Sequence, residues 1–173
     1  MTGWLVNDKL GSIQGVKTFW HQLLESVPGL VDMCPEDESY SDLAASIEAK
    51  AAQNPPDYIV RNGAYFGPFS APCPIISLVQ DIIGPDHLSI GRDWLVDTCA
   101  GSRMVVFNSE YTKSMYPELH STCNRVIPIG TDETTFKPCD PDPYIPDGAV
   151  MWVGSGHRVK GFDLACELAS KSS

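Results

Sequence analysis

Basic residues are scarce in this chain. Only 12 Lys and Arg stand against 22 Asp and Glu, a net charge of −10 over 173 residues. A phosphate-backbone partner needs clustered cations, so no nucleic-acid partner is expected. A nucleotide-bearing small molecule is not excluded, because it needs only one local positive spot. No run of about 18 apolar residues occurs, and no membrane span is expected. The chain opens without a basic segment followed by an apolar one, so no secretory leader is expected either. The six cysteines, Cys34, Cys73, Cys99, Cys123, Cys139 and Cys166, include no C-x-x-C pair. They read as free thiols in a reducing cytoplasm, several of them small core residues. His21, His87, His120 and His157 lie far from one another and from any paired cysteine, so a zinc site is not expected. No G-x-x-x-x-G-K-[ST] loop and no G-x-G-x-x-G fingerprint is present. Gly154-Ser155-Gly156 lacks the third glycine, and order alone supports no Ser-His-Asp set.

What is present is ordinary globular material. The chain is 43% hydrophobic and 20% charged, enough for one sizeable domain. Trp4 to Val6 is a short apolar run. Val16, Phe19, Trp20, Leu23, Leu24 and Val27 then recur at helical spacing, and Pro28-Gly29 stops that helix. Leu30 to Met33 reads as a second strand. Tyr40, Leu43, Ala44, Ile47 and Ala51 form a second helical face, broken at Asn54-Pro55-Pro56. The stretch 57–63 and Ile75 to Val79 read as buried strands, Leu88 to Ala100 as a helix with Gly101 as its C-cap. Met104 to Phe107 is another strand. Ser109 is placed to cap a helix starting at Glu110 and ending near Pro117. Arg125 to Ile129 is the next strand. The alternation predicts an α/β fold, a Rossmann-like parallel sheet with helices on both faces.

Ligands in open parallel sheets bind beyond the carboxyl ends of the strands. Asn7, Asn62, Gln80, Asp81, Asn108 and Ser109 all follow apolar strands and are expected along one rim. Ordinary loop capping is the plain alternative for each. Gly15 opens the first helix, where a missing side chain lets a ligand approach backbone N–H groups. A tight turn before a helix is the alternative there.

The succession Asn108-Ser109-Glu110, Val126-Ile127-Pro128-Ile129-Gly130-Thr131-Asp132 and Phe136-Lys137-Pro138 resembles the end of the N-terminal domain in GT-B glycosyltransferases of family 4. Ile129 stands where that family usually has Asn, and Thr131 where it has Val. The family's first loop carries a Gly-Gly pair beside the donor and acceptor; here the pair is Gln14-Gly15. It often has a His that contacts the transferred sugar where this chain has Gln80, followed by Asp81. A second resemblance runs from Ala149 onward: strand, variable loop, Lys160-Gly161, helix. In the family an Arg and a Lys hold the donor diphosphate there, because the leaving nucleotide gains charge as the glycosidic bond breaks. Lys160 matches the Lys; Ser155 occupies the Arg position, and Arg158 is the nearby replacement. The family uses a nucleotide sugar as substrate and no cofactor.

The resemblance implies an N-terminal acceptor-side domain over 1–138, a proline-rich linker over 139–148, and the first strand-helix unit of a donor-side domain over 149–173. Asp140-Pro141-Asp142 spells a metal-nucleotide signature of a different glycosyltransferase fold, but among Pro138, Pro141, Pro143 and Pro146 it reads as linker. The implied activity is retaining, cytoplasmic transfer of a sugar to a sugar, lipid or protein acceptor. It would need the rest of a second domain, from a homodimer or a separate C-terminal half. A noncatalytic binding or assembly module and a GT-B epimerase are the alternatives; the Ser109-Glu110 and Lys160-Gly161 contexts favour a transferase over the epimerase.

Overall fold

The structure, a computed structural model, describes residues 1–6, 14–33, 40–62, 67–80, 91–130, 143–145, 152 and 161–171. The chain divides into two compact units, Met1–Gly130 and Thr131–Ser173.

The first unit is a six-stranded, all-parallel sheet. Its strands are β1 (Gly3–Val6), β2 (Leu30–Asp32), β3 (Tyr58–Asn62), β4 (Ile75–Val79), β5 (Met104–Phe107) and β6 (Asn124–Val126), in the order β2-β1-β3-β4-β5-β6. Parallel neighbours need crossovers, which α1 (Gln14–Ser26), α2 (Tyr40–Gln53), α3 (Arg92–Ala100) and the short α4 (Glu110–Ser114) lie within. The fold is therefore α/β and Rossmann-like. One strand, not two, stands beyond β1, so the order is the flavodoxin-like variant of the doubly wound fold.

Strand register divides the side chains between two faces. Trp4 pairs with Ile59, Ile59 with Ile75, and Val79 with Phe107, so these point the same way. Trp4, Val6, Ile59 and Ile75 pack with Leu43, Ile47 and Ala51 of α2. Val79, Val105 and Phe107 pack with Leu95 and Cys99 of α3, and with Tyr116 and Leu119. On the opposite face, Leu5 and Val60 meet Trp20 of α1. Helices thus cover both faces. The apolar stripe read from Val16 to Val27 is the one α1 turns to the sheet, from Phe19 onward. Gly29 holds φ +82 between α1 and β2, and a Cβ there would sit 2.4 Å from the Met1 carbonyl oxygen. Gly3 is bare for another reason: the Tyr58 ring lies across it, and a Cβ would meet its Cζ at 2.3 Å.

Several boundaries differ from the sequence reading. The helix from Glu110 stops at Ser114, and a 3₁₀ turn, Pro117–Ser121, follows it. Pro117 cannot donate an amide hydrogen and so serves as the first residue of that new turn. The strand expected to reach Ile129 pairs only through Val126; Ile127 and Ile129 are exposed. Gly101 does cap α3, but with φ −80 rather than a left-handed conformation. The second unit contains α5 (Phe162–Lys171), none of whose residues is buried. The strand expected over 149–153 lies outside the described residues, apart from Trp152. Cys73, Cys99, Cys123 and Cys166 are free thiols. Among the described residues, no helix is long and apolar enough to cross a membrane.

Candidate functional site

The carboxyl rim of β4 and β5 is built by hydrogen bonds. The Asn108 amide Nδ2 donates to the Gln80 carbonyl at 2.8 Å, and the Asn108 backbone N–H donates to the Val79 carbonyl at 3.3 Å. The Thr112 hydroxyl donates to Asn108 Oδ1 at 2.6 Å. Ser109 holds extended backbone and accepts the Thr112 N–H on its Oγ at 3.0 Å. Sequence reasoning gave Ser109 this capping role, and the geometry supplies it. Both residues therefore spend much of their hydrogen-bonding capacity on the rim itself. Gln80 differs: its side chain is half-buried and makes no hydrogen bond among the described residues. It keeps a donor and an acceptor for something else.

Below this rim lies an open groove of about 330 Å³. Its floor is sheet: Val60, Ile76, Leu78 and Val106, the last three half-buried. Phe19 and Leu23 of α1, with Val27 just past its end, wall one side, and the segment Ile127-Pro128-Ile129-Gly130 walls the other. Gln80 and Asn108 are its polar lining. The groove exists because α1 covers the β1–β3 side of this face, while no described helix covers β4 and β5 there. Apolar pockets of this size with a few convergent polar groups are the usual form of a small-molecule site.

The structure thus brings Gln80, Asn108 and Ser109 together and adds Ile129-Gly130 to the same groove. Gln14 and Gly15 form the first turn of α1; their side chains lie outside the described residues, as do Asp81, Arg158 and Lys160 altogether. Asn62 ends β3 and is buried. Among the described residues no cluster of three or more His, Cys, Asp or Glu could hold a metal ion.

The amino rim holds a residue the sequence reading passed over. Arg61 follows the apolar run Tyr58-Ile59-Val60 in β3, is 1% exposed, and lines the cleft at the amino ends of β4 and β5. Its Nε donates to Ser77 Oγ at 2.8 Å, and its Nη2 donates to the Thr98 carbonyl and, at 3.2 Å, to Ser102 Oγ. The Phe69 ring covers the guanidinium face, 4.8 Å away. Burial pulls the group down to about 10, the nearby Cys99 opposing slightly, so it stays cationic at neutral pH. The available signal was a charged residue at a position buried by both sheet and helix, where pairing is expected.

Comparison with protein-family models, with curated proteins and with solved structures finds no match to this chain.

Proposed function

We propose that the chain is the acceptor-side part of a retaining glycosyltransferase that uses a nucleotide sugar, with the groove under Gln80 and Asn108 as its half of the cleft. The carrying observation is the position of that groove. It opens at the carboxyl ends of β4 and β5, where parallel sheets present ligands, and the segment ending at Gly130 walls it. The order of residues on these elements is what resembles the GT-B transferases. Gln80 would donate or accept a hydrogen bond to a sugar hydroxyl; having no titratable group, it would position the sugar and not transfer a proton. The apolar floor would take a hydrophobic portion of the acceptor. Lys160, with Arg158, would face the donor diphosphate in the completed enzyme, and no metal is required for that role.

A specific observation favours the noncatalytic module as the second reading: Asn108 and Ser109 are engaged in holding the rim, leaving Gln80 as the one described rim candidate with an uncommitted side chain. Sugar transfer by the full-length protein separates the two. Under the transferase reading, Gln80→Ala lowers kcat/KM by about 10- to 100-fold, the cost of one hydrogen bond to a sugar hydroxyl. Undiminished turnover in Lys160→Ala removes the diphosphate assignment. No turnover with any donor, alongside tight binding of a protein partner, supports the module.

A further inference from the structure

We draw no further inference here: the strongest candidate, the cleft of about 490 Å³ at the amino ends of β4 and β5, is lined by Arg61 and Arg103 together with Glu48 and Asp97, and nothing in the structure shows which ligand chemistry those opposed charges would select.

Discussion

At the scale of single residues, the buried Arg61 and Cys99 both bear on the alkaline behaviour of the molecule. Burial pushes the Cys99 thiol from 9.0 up to about 11, against opposing contributions from Arg61 and a hydrogen bond with Ser77. The folded state therefore favours the neutral thiol. Its contribution is fully present below pH 9 and is lost as pH rises toward 11. Arg61 moves the other way, from 12.5 to about 10. Keeping that charge buried costs about 3 kcal/mol at neutral pH, and the cost shrinks only above pH 10. Between pH 9 and 10 Arg61 stays protonated, and the comparison with Cys99→Ala separates the Cys99 thiol from that of Cys73, which burial also pushes up. The stability difference between wild type and Cys99→Ala should shrink there by up to about 1.4 kcal/mol per pH unit, measurable by urea unfolding at a series of pH values. A flat difference would place the thiol in water. The residue scale is also where the sequence was least legible. Ser109 was readable because a cap is decided by its local neighbours. Arg61 was not, since its acceptors lie far from it in the chain, Ser77 on β4 and Thr98 and Ser102 at the end of α3. That Gln80, Asn108 and Ser109 follow strands was readable, but that Asn108 binds the Gln80 carbonyl depends on two strands being adjacent.

At the scale of elements, turns and caps carry testable amounts of stability. Gly29 is the joint between α1 and β2, and its positive φ leaves no room for a side chain beside Met1. Gly29→Ala should cost more than about 1 kcal/mol, while Gly101→Ala, in open space at φ −80, should cost little or nothing. Thermal unfolding of the two variants side by side checks this. Ser109→Ala should cost about 1 kcal/mol through the lost α4 cap. The α3 helix is also tied to the 3₁₀ turn. Arg92 donates both terminal nitrogens to Glu118 and one to the Met115 carbonyl at 2.6 Å. The hydrogen bond from Arg92 holds the Glu118 carboxyl below its ordinary range, so this support is present at neutral pH and lost in acid as the carboxylate protonates. Helix and strand types were legible from periodicity. The 3₁₀ turn was missed because an apolar pattern with Pro117 in it reads equally as a helix end. β6 was read too long because Ile127 and Ile129 are apolar yet exposed, and the last ladder hydrogen bond runs from the Ile127 N–H to the Phe107 carbonyl.

At the scale of the whole molecule, a parallel sheet with a hollow at each rim organises the first unit. Every strand of that sheet lies within Met1–Gly130, so a fragment ending at Gly130 should unfold in one cooperative transition by circular dichroism. The carboxyl rim offers a groove with an apolar floor and an uncommitted Gln80; the amino rim offers a cleft with a buried guanidinium. That the sheet is parallel was legible from strand-helix alternation. Its order was not, because a crossover helix does not record on which side of β1 the next strand is laid. The central claim is that the carboxyl rim faces the sugar of a nucleotide-sugar donor. Its most direct test is chemical-shift mapping of the full chain titrated with nucleotide diphosphates and the corresponding nucleotide sugars. The account predicts saturable shifts concentrated at Gln80, Asn108 and Ile127 to Gly130. Shifts confined to the amino rim around Arg61 and Ser102, or no saturable shift with any of these ligands, would contradict it.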